Sequence, residues 1–71
     1  MATKKKEDKK YGIIYKCQAV NIRQKATLRS AVVTEVEAGE EVEILGEKGD
    51  FFNIKYHGHK GYTLKLFIAV E

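Results

Sequence analysis

Apolar and polar residues alternate along most of the chain from Tyr11 onward. The clearest case is residues 41–46, where Val42 and Ile44 are separated by glutamates. A period of two is typical of strands with one buried face, and glycines or charged clusters interrupt the pattern too often for long helices. The pattern therefore predicts an all-β fold.

The predicted strands are joined by short turns. Turns are predicted at Gly39 and at residues 47–50, where glycine and charged residues interrupt the strands. His57-Gly58 is typical of a two-residue hairpin turn of the Asn-Gly kind. Residues 24–31 show neither period and are predicted to form a polar surface loop with Leu28 turned inward. The strand segments predicted are residues 12–17, continued in extended form by 19–23, and then residues 31–36, 41–46, 51–56, 59–63 and 67–70, with a helical turn at 64–66.

The length of 71 residues limits both architecture and chemistry. Five or six short strands cannot cover both faces of a flat sheet, so we expect a small barrel that closes most of its edges. Such a core leaves only about 3–5 kcal/mol of net stability, which leaves little room for a deep, strained catalytic cavity. We therefore expect no enzyme and no catalytic residues.

The positive net charge of +3 belongs to the N-terminus. Residues 1–10 contain five lysines and two acidic residues, whereas residues 11–71 contain eight basic and eight acidic groups. Because the first ten residues offer almost nothing to bury, we predict a disordered basic tail followed by a barrel over residues 11–71.

The expected cellular location depends on whether Met1 is the native start of the protein. The chain has a single cysteine, Cys17, so an internal disulfide is impossible, and no apolar stretch suits a secretion signal or a membrane span. If Met1 is the native start we expect a cytoplasmic protein. If the chain is an excised domain, we expect an extracellular or cell-wall-associated one.

Four segments, in their order and spacing, resemble the bacterial SH3-like (SH3b) domains over about residues 13–71. Residues 20–23, Val-Asn-Ile-Arg, resemble the family's Leu-Asn-Val-Arg opening. Residues 36–46 are similar to its hydrophobic-x-x-Gly-x-x-Val-x-Val-x-Gly middle. Residues 49–56 are similar to its Asn-Gly-Trp-x-x-Val segment, with Phe51 in place of Trp, and residues 58–62 to its Gly-x-x-Gly-Tyr-Val hairpin.

The resemblance implies a five- to six-stranded SH3-like barrel without catalysis or cofactor. Bacteria and their phages use such domains to bind cell-wall peptides or to dock on proteins. Gln24-Lys25 stand where the family has Gly-Pro, and Thr63 replaces an apolar strand residue. The proline-containing stretch with which eukaryotic relatives bind PxxP peptides has no counterpart at residues 64–67, so we do not expect proline-rich recognition.

The candidate site is a groove between residues 24–31 and 47–50. Strand alternation turns Phe51 outward, and the resemblance places Phe51 and Phe67 in the groove. The ligand-binding residues predicted are Phe51, Phe67 and Tyr62 for apolar contact, with Arg23 or Arg29 as a charged anchor. The alternative for Phe51 is that it covers the open end of the barrel.

The expected function is that of a non-catalytic binding module for an extended peptide. The peptide would come from peptidoglycan or from a protein partner, for example a host protein met by a phage or mobile-element product. The alternative is a small nucleic-acid-binding barrel that uses the lysine-rich tail. The neutral body argues against nucleic acid, and we expect no membrane partner and a monomer. His57 and His59 leave a metal site short of ligands, so no metal is expected.

Overall fold

The computed structural model describes residues 9–71 and is all-β, as predicted. Its elements are β1 (Lys10–Ile14), β2 (Ala19–Arg23), β3 (Val32–Glu37), β4 (Glu41–Lys48), β5 (Phe51–Tyr56), β6 (His59–Leu64), a 3₁₀ turn (Lys65–Phe67) and β7 (Ile68–Val70). The five to six strands predicted are thus seven, because residues 12–17 and their extended continuation at 19–23 fall into two separate strands, β1 and β2, on either side of Lys16 with its positive φ.

The sheet is a barrel because its two ends share one core. The strand order is β3-β2-β6-β5-β4-β1-β7. Val36 of β3 and Ile68 of β7, at opposite ends of this order, bury their side chains in the same cluster. That is possible only if the sheet curls on itself. The other buried members of the cluster are Ile14, Val20, Ile22, Val42 and Ile54.

The hairpin of β2 and β3 docks on the barrel where Gly61 lies in β6. A Cβ atom at Gly61 would lie 2.5 Å from the carbonyl oxygen of Arg23 and 2.6 Å from Cγ2 of Ile22. Only glycine lets the two backbones approach this closely. Arg23 can therefore pair with Tyr62 and join β2 to the sheet.

The predicted turns are confirmed, and several strand boundaries differ. His57 and Gly58 have φ values of 48° and 84°, as a type I′ hairpin requires. β1 ends at Ile14 rather than at residue 17, because Lys16 adopts a left-handed conformation with φ 65°. β4 continues to Lys48 past a bulge at residue 45, which shortens the turn predicted over residues 47–50.

At the N-terminus, Lys10 already belongs to β1, where it pairs with Ile44. The predicted tail of residues 1–10 therefore overlaps the barrel at its last residue, and residues 1–8 lie outside the described residues. Cys17 is half-buried against the core, and its thiol donates a hydrogen bond to the carbonyl of Tyr15 at 3.4 Å. Within residues 9–71, no helix is long and apolar enough to cross a membrane.

Candidate functional site

A groove of about 200 Å³ lies over β2, β6 and the start of β5. It is lined by Ala19, Val20, Asn21, Arg23, Leu28, Phe51, Thr63, Leu64 and Phe67. Small-molecule sites typically enclose about 300–1,000 Å³. The groove is smaller and open, so it suits one or two side chains of a larger ligand better than a whole cofactor.

Phe51 lies on the predicted face of its strand, but it is buried. Phe51 pairs with Leu64 across β5 and β6, whereas Ile54, three residues on, pairs with Gly61 over the core. Because side chains alternate along a strand, Phe51 lies on the face opposite the core. The predicted exposure is wrong: Phe51 is only 8% exposed, since Leu64 and Phe67 line the same groove around it. Phe51 thus forms the floor of the groove.

Residues 24–31, here called the groove loop, form a surface loop as predicted, and Ser30 organises it. The backbone N–H of Lys25 donates to Ser30 Oγ at 3.1 Å. The Ser30 hydroxyl lies 3.1 Å from the carbonyl oxygen of Lys25 and 3.2 Å from that of Thr27, so it can donate to either. Because this network satisfies the polar groups of the loop locally, the loop has a defined conformation without a core of its own.

Leu28 points away from the core, contrary to the prediction. Its side chain is 61% exposed and lines the groove. The hydrogen bonds of the groove loop close within the loop itself, so its tip stays on the surface and carries Leu28 with it. An apolar side chain exposed beside a groove is available to a ligand.

Arg23 is fixed through both its backbone and its side chain. Its backbone pairs with Val32 of β3 and with Tyr62 of β6. Its Nη1 donates to the carbonyl oxygen of Ser30 at 2.9 Å, which ties the guanidinium to the groove loop. Arg23 is half-buried, and no other residue lining the groove is ionisable. The groove therefore presents one positioned positive charge.

Three of the five predicted site residues line the groove: Phe51, Phe67 and Arg23. Tyr62 and Arg29 do not. Tyr62 is half-buried beside Arg23 in the strand pair, and Arg29 is exposed on the groove loop.

The second predicted wall, residues 47–50, also does not line the groove. The 3₁₀ turn takes its place, and the backbone N–H of Lys65 donates to the carbonyl of Asp50 at 2.9 Å. This hydrogen bond connects the 3₁₀ turn to the turn that the prediction assigned to the groove.

Six residues that line the groove were not among the predicted site residues: Ala19, Val20, Asn21, Leu28, Thr63 and Leu64. A signal for Asn21 was present, since it lies between the inward-facing Val20 and Ile22 and must face outward with Arg23. Leu64 gave no such signal, because it was assigned to a helical turn and not to the end of β6.

Several acidic side chains interact with one another or with Tyr56 outside the groove lining. The Tyr56 hydroxyl donates to Oε1 of Glu40 at 3.0 Å. Partial burial of the ring, together with Glu40 and Glu37, raises the pKa of Tyr56. A hydrogen bond with Glu41 raises the pKa of Glu71. None of these acidic groups lines the groove, where Arg23 is the one ionisable residue among those described.

A second depression, of about 500 Å³, contains none of the predicted site residues. Its lining residues are Lys10, Ile44, Leu45, Gly46, Glu47, Phe52 and Val70. Glu47 is already engaged, because it accepts a hydrogen bond from Nζ of Lys65, which lowers the pKa of Glu47. Leu45 is 42% exposed and offers a matched control for Leu28. Among residues 9–71, no group of three or more His, Cys, Asp and Glu is placed to hold a metal ion.

Comparison with known protein families gives a match over most of the barrel. The profile of the bacterial SH3 domain family matches residues 18–69, a range that includes every residue lining the groove. No curated protein sequence matches the chain at a significant level.

Proposed function

The chain belongs to the bacterial SH3 domain family, whose members are typically binding modules, and we propose that it is a non-catalytic module that binds an extended peptide in the groove. The observation that carries this proposal is the combination of an apolar floor with one fixed charge. Phe51 and Leu64 form the floor, and Arg23 stands at its edge.

An extended peptide suits this groove for geometric reasons. Alternate side chains of an extended segment project to the same side. The groove holds one or two side chains, and its open form leaves room for the rest of a chain to continue across the surface. Leu28 on the groove loop and Phe67 on the 3₁₀ turn supply apolar surface on either side of the floor. This arrangement supports peptide binding over the enclosure of a small molecule.

Two ligand sources fit this proposal. One is peptidoglycan peptide, which places the protein outside the cytoplasm at the cell wall. The other is a segment of a protein partner, such as a host protein bound by a phage or mobile-element product, which places it in the cytoplasm. A monomeric module serves either source.

The test measures binding to each source with a matched pair of variants. Wild type, Leu28→Ser and Leu45→Ser are incubated with purified cell walls and, separately, with lysate proteins, and the bound fraction is quantified. Burying a leucine side chain contributes about 1.5–3 kcal/mol, so Leu28→Ser should weaken binding about tenfold or more. Leu45→Ser should bind like wild type, because Leu45 lies in the second depression.

Two results would contradict the proposal. If Leu45→Ser loses binding and Leu28→Ser retains it, the site is the second depression. If neither substitution changes a partner's binding, neither depression is the site. Both leucines are substantially exposed, so neither variant should unfold the barrel, and circular dichroism checks this.

A further inference from the structure

The segment 23–31, which contains Arg23 and the groove loop, carries charges of one sign. Arg23, Lys25 and Arg29 are the charged residues of the segment 23–31, and it contains no acidic residue. The acidic groups with described partners lie elsewhere: Glu40 contacts Tyr56, and Glu47 contacts Lys65. Glu35 and Glu37 of β3 pair with Asn21 and Ala19 beside the groove. Among the described residues of the lining itself Arg23 is the one ionisable residue, so the charge that a ligand meets inside the groove is positive.

Arg23 is preorganised to receive an anion. One guanidinium nitrogen is held by the carbonyl of Ser30, and this is the only hydrogen bond that the guanidinium makes within residues 9–71. A guanidinium has five N–H donors in a planar fork that matches the two oxygens of a carboxylate. Because its backbone and one nitrogen are already fixed, Arg23 loses little side-chain entropy when it binds.

The floor beside Arg23 favours an aliphatic side chain over a nucleic-acid base. Proteins that bind single strands offer open aromatic faces on which bases stack. Phe51 is only 8% exposed, so its ring leaves too little open surface for a base to stack on. Together with Leu64, it can be covered by a leucine-sized side chain.

We infer that the ligand of the groove is an anionic peptide segment in which a carboxylate pairs with Arg23 and a neighbouring apolar side chain packs over Phe51 and Leu64. This inference rests on the proposed function and names the chemistry of its ligand. The carboxylate has two possible sources, an Asp or Glu side chain and a free peptide C-terminus.

The experiment is an NMR titration with three small probes. They are Gly-Leu-Glu-Gly with both ends blocked, Gly-Leu-Gln-Gly with both ends blocked, and Gly-Leu-Gly with a blocked N-terminus and a free C-terminus. The amide signals of Asn21, Arg23 and Leu64 report binding in the groove. A charged hydrogen bond contributes about 1.5–3 kcal/mol, so at least one carboxylate peptide should bind about tenfold more tightly than the Gln peptide. The tighter of the two identifies the source.

Variants separate the guanidinium from general charge. Arg23→Gln should remove the discrimination between the Glu and Gln peptides. Lys60→Gln, which makes the same change in charge at an exposed position of β6 outside the groove, should keep it. The ratio of the two affinities is measured on one sample, so partial unfolding of a variant does not affect it. Arg23→Lys keeps the positive charge but loses the planar fork of N–H donors. Its ratio of the two affinities should therefore fall between those of Arg23→Gln and Lys60→Gln.

The contrary outcomes are distinct. If all three peptides shift the groove signals with equal affinity, or if Arg23→Gln and Lys60→Gln behave alike, the inference is wrong and the proposed function stands. If no peptide shifts these signals at millimolar concentration, both are wrong. If a ten-residue oligothymidine binds more tightly than any peptide, with an affinity that falls steeply with salt, nucleic acid is the ligand.

Discussion

The barrel core and the groove loop are held together by different interactions. In the core, Ile22 and Ile54 are completely buried among other aliphatic side chains. In the groove loop, Leu28 is exposed, and the conformation rests on hydrogen bonds around Ser30. β2 serves both regions: Ile22 lies in the core alone, Asn21 and Arg23 line the groove, and Val20 contributes to both. Substitutions at Ile22 on one side and at Asn21 or Arg23 on the other can therefore separate stability from binding.

The largest effect on stability is expected at Gly61, where β6 contacts the end of β2 that leads into the groove loop. A Cβ at Gly61 would meet the backbone of Arg23 at 2.5 Å, so Gly61→Ala must push β2 away from β6. Overpacking of this kind typically costs about 1–3 kcal/mol. Urea denaturation should show that loss in the free energy of unfolding, and groove binding should fall because Arg23 moves with β2.

Gly46→Ala is the matched control for this prediction. A Cβ at Gly46 has no neighbour within 4 Å, and the backbone there has no positive φ. The substitution should be neutral or slightly stabilising, because alanine reduces the entropy of the unfolded chain. Equal stability of the two variants would mean that β2 and β6 are not in close contact.

The sequence predicted those parts of the site that depend on local geometry. The period of two identified β2 and the outward direction of Arg23, and His57-Gly58 identified the hairpin of β5 and β6. Burial of Phe51 could not be predicted in this way, because the 3₁₀ turn and Leu64 cover it only after the chain has folded. The same holds for Leu28, whose position is set by hydrogen bonds that link residues up to seven positions apart. Hydrophobic periodicity carries no information on either.

A smaller effect on stability is expected when only the hydrogen bonds within the groove loop are removed. Ser30→Ala removes the acceptor for the Lys25 N–H and the hydroxyl donor to the loop carbonyls. An intramolecular hydrogen bond typically contributes about 1 kcal/mol, and the loop contributes little buried apolar surface. The free energy of unfolding should fall by about this amount, while hydrogen exchange at the Lys25 amide should accelerate.

Binding should respond to Ser30→Ala more than stability does. The guanidinium of Arg23 is anchored on the Ser30 carbonyl, so a mobile loop releases it and reduces discrimination for the carboxylate peptide. Thr27→Val serves as the control, because Thr27 Oγ1 accepts only one long hydrogen bond, 3.3 Å from the N–H of Arg29. If Ser30→Ala leaves the exchange of Lys25 unchanged, Ser30 does not organise the groove loop.

The smallest effect is expected at the ion pair between Glu47 and Lys65, the first residue of the 3₁₀ turn. The hydrogen bond and charge of Lys65 lower the pKa of Glu47 in the folded protein. A carboxyl whose pKa is lowered by folding stabilises the protein above its ordinary pKa, and this contribution is lost as pH falls through the lowered value. Wild type should therefore be slightly more stable than Glu47→Gln at pH 7, and the difference should disappear in acid. Because the pair is exposed, salt should also reduce this difference in stability.

Glu35→Gln is the control, since Glu35 is exposed and makes no ion pair among the described residues. The difference in stability between wild type and Glu35→Gln should not change as the pH falls. A difference between wild type and Glu47→Gln that persists in acid would show that the 3₁₀ turn beside the groove is held by the Lys65–Asp50 backbone hydrogen bond and its packing, without help from this charge.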